Sequence, residues 1–295
     1  MKLIIQPDDG VTPLVQAVRN AKKTLDVVIF RFDRAELEKA LEAAVARGVV
    51  VRALIAHMNS GGEKVLRKLE LRLLDAGVTV ARTADDLPRY HGKMMIVDGT
   101  LYVFGFNYTK LDIEKSRSFG IATDDEALVK EAQALFEADC TRQPYKPSNA
   151  GLVVSPETSR EQLSAFIKKA KKELLIYDAK VTDRLMLRLL GERAKAGVEI
   201  RMFGKTAKGA TWIDARKLPD LRLHVRAIVR DGTAVFLGSQ SLRKLELDGR
   251  REVGVIVDDE KIAKKVRDVF EADWALTPEA KAKGKAAEEP ITSGA

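Results

Sequence analysis

Cysteine is almost absent from this 295-residue chain. The single Cys140 excludes an intrachain disulfide, and a zinc site closed by several thiolates is excluded with it. Histidine is nearly as scarce, with three residues: His57, His91 and His224. Aromatic residues make up 6%, with two tryptophans, and no stretch interleaves them with Lys and Arg as a base-stacking platform would. Nor does any segment read as an amphipathic helix built to lie on a membrane. Long apolar runs are missing too. No window approaches the ~18–20 residues of a membrane span, and the start, Met1 to Asp9, is too short in apolar residues for a secretory signal. These absences point to a soluble chain in the cytoplasm.

What is present is charge of one sign in excess. Lys and Arg number 51 against 43 Asp and Glu, a formal net charge of +8. Such a surface favours anionic partners: phosphates, nucleic acid or an acidic membrane face. With 45% hydrophobic residues the chain is an ordinary globular one, and its length suits about two domains.

The chain repeats itself, which accounts for two domains better than length does. Ala46-Arg47-Gly48-Val49-Val50-Val51-Arg52 resembles Lys195-Ala196-Gly197-Val198-Glu199-Ile200-Arg201, and Phe136-Glu137-Ala138-Asp139 recurs as Phe270-Glu271-Ala272-Asp273. Between them, His91-Gly92-Lys93 running to Asp98-Gly99 recurs as His224-Val225-Arg226 running to Asp231-Gly232. Each half alternates strand and helix. Leu25 to Phe30 and Val49 to Ala56 read as strands, while leucines at helical spacing before Gly48 and Gly77 read as helices. In the second half, Glu173 to Tyr177 and Val198 to Phe203 are the strands and Asp183 to Ala196 the helix. The expected organisation is a first repeat over 1–146, a second over 147–276 and a flexible tail over 277–295, with the seam in the turn-rich segment 143–149.

His91 and Lys93 are two residues apart, so strand alternation puts both side chains on one face, and His224 and Arg226 repeat the arrangement. Phosphodiester chemistry needs such a pairing: a cation holds the non-bridging oxygens while an imidazole attacks phosphorus or moves a proton. Two pairs, one from each half, would close on a single phosphate if the halves pack about a pseudo-twofold axis. The same residues have duller readings. Asp-Gly between apolar runs is a common hairpin turn, which would make Asp98 and Asp231 structural. His57 reads as a loop or core histidine, and Cys140 as a small apolar filler.

The repeated H-x-K/R-x-x-x-x-D pattern resembles the phospholipase D superfamily, over about Leu3 to Ala275. The resemblance implies two tandem α/β/α repeats, each a mixed, mostly parallel sheet flanked by helices. It further implies catalysis by His91, Lys93, Asp98, His224, Arg226 and Asp231 through a phosphohistidine, with no metal or other cofactor. By analogy His91 is the nucleophile and His224 the general acid and base. Lys93, Arg226, Asn107 and Ser239 would bind the substrate phosphate, Asp98 and Asp231 would back the cations and imidazoles, and Glu252 would orient a histidine.

The sequence departs from the family pattern at Arg226, where Lys is usual, at Phe106, Tyr108 and Ser241 in the G-S-x-N segments, and at Ser118, which stands in place of the first half's Glu. Three readings follow. The first is a phosphodiesterase of phospholipase D type acting on a phosphatidyl group, with peripheral contact to an anionic membrane. The second is a nuclease, and the third a phosphate-binding module with weakened catalysis. One chain suffices for the site, and a dimer is compatible with it.

Overall fold

The structure, a computed structural model, describes residues 1–59, 63–148 and 151–279. Its first half runs β1 (Lys2–Gln6), α1 (Thr12–Asn20), β2 (Thr24–Ile29), α2 (Ala35–Ala46), β3 (Val50–Ile55), α3 (Glu63–Asp75) and β4 (Thr79–Arg82). It continues with β5 (Met94–Val97), β6 (Thr100–Phe104), α4 (Lys110–Glu114), β7 (Ser116–Thr123) and α5 (Glu126–Thr141). The second half starts with β8 (Leu152–Ser155), α6 (Ser159–Lys168), β9 (Glu173–Val181), α7 (Arg184–Lys195), β10 (Glu199–Thr206), β11 (Asp214–Arg216) and β12 (Arg222–Leu223). It closes with β13 (Arg226–Arg230), β14 (Ala234–Gly238), α8 (Lys244–Asp248), β15 (Glu252–Val257) and α9 (Glu260–Ala275).

The repeat seen in the sequence is a repeat of topology. The first sheet has the order β1-β7-β6-β5-β2-β3-β4, and the second, read from the corresponding edge, β8-β15-β14-β13-β9-β10-β11. In each, three strands lie parallel (β2-β3-β4, β9-β10-β11), joined through helices except at β10-β11, and the other neighbours in these orders pair antiparallel, while β12 adds to β7 in parallel. Most strands therefore point one way, as expected, although most neighbours are antiparallel. One antiparallel pair in each sheet, β5-β6 and β13-β14, is a hairpin, whose tight turn reverses the chain.

Three apolar cores hold the layers. Leu37, Leu41 and Ala44 of α2 and Leu66, Leu69 and Leu73 of α3 pack on the outer face of the first sheet. Leu163 and Phe166 of α6 and Met186, Leu189 and Leu190 of α7 do the same for the second. The third core lies between the sheets and draws on both halves: Phe136 of α5 and Phe270 and Trp274 of α9 join Phe119, Leu152, Tyr177 and Phe203. The helices end where the sequence places glycine, with Gly48, Gly77 and Gly197 at positive φ.

Two buried ion pairs cross the interface in matching positions. Arg117 donates to both carboxylate oxygens of Asp273 at 2.9 and 3.0 Å, and Arg251 contacts Asp139 Oδ1 at 3.1 and 3.2 Å. Each joins the strand of one half to the long helix of the other. Thr277, read from sequence as the start of the tail, is instead buried and accepts a hydrogen bond from Arg216. Residues 280–295, the remainder of that tail, and Asn149 at the seam lie outside the described residues. Among the described residues no helix is long and apolar enough to cross a membrane.

Candidate active site

The two histidines precede strands rather than sitting in them. Residues 91–93 are irregular, with β5 starting at Met94, and β13 starts at Arg226. What orders each segment is the opposite half. Tyr90 bridges Arg251 at the start of β15, and His91 N–H donates to the Arg251 carbonyl at 2.6 Å. In the symmetric position Arg222 and Leu223 form β12 and pair with Ser116 and Arg117 of β7. Each histidine is thus carried across the interface by its own leading residues. Gly92 is required by this crossing, because a Cβ there would lie 2.8 Å from Val253 Cγ2.

On the first side, His91 Nδ1 lies 2.8 Å from Glu252 Oε2. Glu252 is fully buried, and a carboxylate accepting from Nδ1–H leaves the Nε2 lone pair turned to the Lys93 ammonium. Lys93 Nζ stands 2.8 Å from Nε2 and 2.9 Å from Nδ1, so an anion held by this ammonium is placed against the imidazole. Burial, then the charges of Lys93, Arg226, Arg250 and Arg89, hold His91 well below the usual histidine range. Lys93 itself is buried and pushed down to about 7, by burial against the pull of Glu252 and Asp112.

On the second side, His224 Nδ1 lies 3.4 Å from Asp112 Oδ2, an ion-pair distance without hydrogen-bond alignment. Burial lowers His224 as it lowers His91, but here Asp112 is the next largest influence and it raises the imidazole. Asp112 is held in turn by the Asn107 backbone N–H and side-chain amide at 3.0 and 2.6 Å and by Arg222 at 2.5 Å. Each imidazole is therefore backed by a carboxylate from the other half. Arg226 makes no ion pair among the described residues, and its Nε is buried without a partner. Lys93 and Arg226 both lower both imidazoles, so the four groups share one electrostatic field.

Glu252 stands where the sequence reading placed it. Ser118 matches Glu252 in register (each faces the edge strand, Gln6 or Ser155), and the carboxylate beside the second histidine is that of Asp112 instead. Sequence reasoning missed Asp112. The available signal was the short block Lys110-Leu111-Asp112-Ile113-Glu114, which recurs as Lys244-Leu245-Glu246-Leu247-Asp248 and forms α4 and α8.

Asp98 and Asp231 are not brought to the site, a correction to the role expected for them. Asp98 occupies the β5–β6 turn at φ +48° and accepts from the backbone N–H groups of Lys22, Lys23 and Thr24 at 2.6–2.9 Å. Asp231 does the same for Lys171, Lys172 and Glu173. At about 3.3 Å per residue Asp98 is roughly 16 Å along the strand from Lys93, so the hairpin-turn reading holds. Asn107 and Ser239 are buried and already engaged, Asn107 by Asp112 and Ser239 by the Val253 backbone. Asn107 braces Asp112 through its amide nitrogen while its Oδ1 has no hydrogen-bond partner among the described residues, and Ser239 favours the charged form of Glu252. His57 is exposed at the end of β3. Half-buried Cys140 has its thiol pushed up to about 12 by burial, as an inert filler should. Among the described residues no group of three or more His, Cys, Asp or Glu side chains could hold a metal ion.

Known proteins resemble this chain over both halves. A family model described as "Cardiolipin synthase, PLD-like domain" matches residues 14–140 and again 163–274. A mitochondrial cardiolipin hydrolase of Xenopus tropicalis is 30% identical over 146 residues, 48% of this chain and 65% of that protein. Its Danio rerio counterpart is 28% identical over 128 residues, 42% and 53% respectively. The chain thus spans about half to two thirds of these relatives' length. Among solved structures, polyphosphate kinase from Porphyromonas gingivalis superposes with a TM-score of 0.75 over 92% of this chain and 50% of that one, at 19% identity. Phosphatidylserine synthase from Haemophilus influenzae gives 0.69 over 93% and 86%, at 13% identity. At such identities these two likenesses concern the fold.

Proposed function

From the premise that this chain belongs to the phospholipase D superfamily, as the match over both halves shows, we propose that it cleaves phosphodiesters through a covalent intermediate on His91. The observation that carries the proposal is the crossed arrangement: His91 on Glu252 and His224 on Asp112, with the charges of Lys93 and Arg226 acting on both imidazoles.

Burial lowers both imidazoles, and the difference between their partners supports distinct roles. His91 is neutral at pH 7, hydrogen-bonded through Nδ1, and faces every nearby cation, which suits a nucleophile. His224 has a carboxylate that favours its protonated form, which suits a proton carrier. His91 Nε2 bonds to phosphorus while the bond to the leaving alcohol breaks and His224 gives that oxygen a proton. His224 then takes a proton from water, whose oxygen attacks phosphorus and breaks the P–N bond. Lys93 and Arg226 hold the non-bridging oxygens as charge concentrates on them. Arg226 presents a planar, permanently charged fork where the other half presents an ammonium.

The favoured substrate carries a phosphatidyl group. Two mixed pockets of about 310 and 320 Å³ flank the Arg222–Asp112 pair, one lined by Leu218, Leu221 and Leu223, the other by Val65, Leu66, Leu69 and Leu111. They offer apolar walls beside a cationic centre, and the relatives named as cardiolipin hydrolases agree. The test is to incubate the protein with phosphatidylglycerol vesicles, single-stranded DNA and bis(p-nitrophenyl) phosphate, and to quench in alkali, where a phosphohistidine survives. An adduct mapping to His91, lost in His91→Ala, is expected. Turnover that persists in that variant refutes the assignment, and cleavage of DNA alone makes the protein a nuclease.

A further inference from the structure

Beyond the two motif cations, three arginines gather on the His91 side alone. Arg31 follows β2, Arg89 belongs to the segment that carries His91 across the interface, and Arg250 precedes β15. The guanidinium carbons of Arg31 and Arg89 lie 5.8 and 5.6 Å from the centre of the Phe30 ring, and Lys93 Nζ lies 5.4 Å from it. Phe30 in turn meets the His91 ring edge-on at 4.6 Å. Arg31 and Arg89 make no ion pair among the described residues, and Arg31 Nε is buried without a partner. Arg250 shares Glu246 at 2.9 Å.

The other side is less crowded: the counterpart of Arg31 is Lys180, which is exposed to solvent. Position 222, the counterpart of Arg89 in the repeat, is also arginine but is tied to Asp112. Counterparts of Phe30 and Arg250 are Ala179 and Ser116, which carry neither ring nor charge. Repulsion is already felt: burial, then Arg250, lowers Arg89 below its ordinary value, and Arg31 adds to that. Unpaired guanidinium groups held this close are stable when an anion lies among them.

We propose that Arg31 and Arg89 form a second anion subsite, so that the preferred substrate carries a further phosphate on the His91 side of the one cleaved. This rests on the phosphodiesterase reading for the position of the first phosphate. Two sources have that chemistry, a diphosphatidyl lipid and a nucleic-acid strand, and the ligands below separate them.

Binding is measured on the intact chain carrying His91→Asn, which needs no turnover. The ligands are TpT against 5′-phosphorylated TpT, and phosphatidylglycerol vesicles against cardiolipin vesicles of equal surface charge. The added phosphate should tighten binding at least tenfold in one pair, and in Arg31→Ala/Arg89→Ala that advantage should disappear. Arg31→Lys/Arg89→Lys, which keeps the charge, should retain part of it. An advantage that survives the alanine pair, or is absent in both ligand pairs with the arginines in place, overturns the subsite. Failure of the wild-type chain to turn over any diester instead overturns the phosphodiesterase reading and leaves the binding comparison decisive for the subsite.

Discussion

Lys93 is the residue whose chemistry is most altered by its surroundings. In the proposed reaction its ammonium holds the phosphate, yet burial brings it down to about 7. Below that pH the site carries the charge, and above it the charge is progressively lost, so kcat/KM should be level toward pH 6 and fall on the alkaline side of about 7. His91, held well below the usual histidine range, adds no acid limb in that window. Lys93→Arg, with a cation that does not titrate, should remove the alkaline limb whatever its absolute rate. An unchanged limb in a pH profile of that variant would show that another group titrates. The aspartates offer a contrast. Asp98→Ala removes a cap on three backbone N–H groups and should cost about 1–2 kcal/mol in denaturant unfolding, with kcat reduced less than twofold. Asp112→Asn should lower kcat at least tenfold, because His224 loses the charge that favours its proton.

At the scale of elements, the crossing segments and ion pairs position the chemistry more than the strands bearing the motif do. Arg251 pairs with Asp139 of α5 and also bonds to the Ser155 carbonyl, while its own carbonyl receives His91 N–H. Arg251→Met leaves Asp139 buried without its cation and should destabilise the fold by about 3–5 kcal/mol near neutral pH. Asp139 is raised to about 6 by burial, with Arg251 opposing. Without Arg251 it rises further, so the unpaired carboxylate costs most at high pH and least below about 5, where it binds a proton. Chemical denaturation at pH 5 and pH 8 should therefore show the larger loss at pH 8. The same losses at both would mean that Arg251 acts through packing alone.

As a whole molecule the chain is two similar halves joined by a shared core. The core between the sheets draws on Phe119 and Phe136 from one half and Tyr177, Phe203, Phe270 and Trp274 from the other. Each half expressed alone would expose that face, and each imidazole would lose its carboxylate. Residues 1–146 and 147–279 produced separately should be inactive and aggregation-prone by light scattering, and activity of either half alone would contradict the crossed site.

The sequence by itself determined the repeat, the alternation of strand and helix, the helix stops at Gly48, Gly77 and Gly197, and the pairs His91/Lys93 and His224/Arg226. These are local patterns, set by side-chain period, by the conformational freedom of glycine and by two-residue spacing. It also made Glu252 a candidate. Only the tertiary structure decided which carboxylates serve which imidazoles, because those partners stand 161 and 112 positions apart along the chain and meet across an interface no local pattern encodes. The motif aspartates show the same limit from the other side. The family resemblance implied a catalytic role for them, but an extended strand carries residues five positions apart to opposite ends, where a hairpin turn, and not a phosphate, claims them.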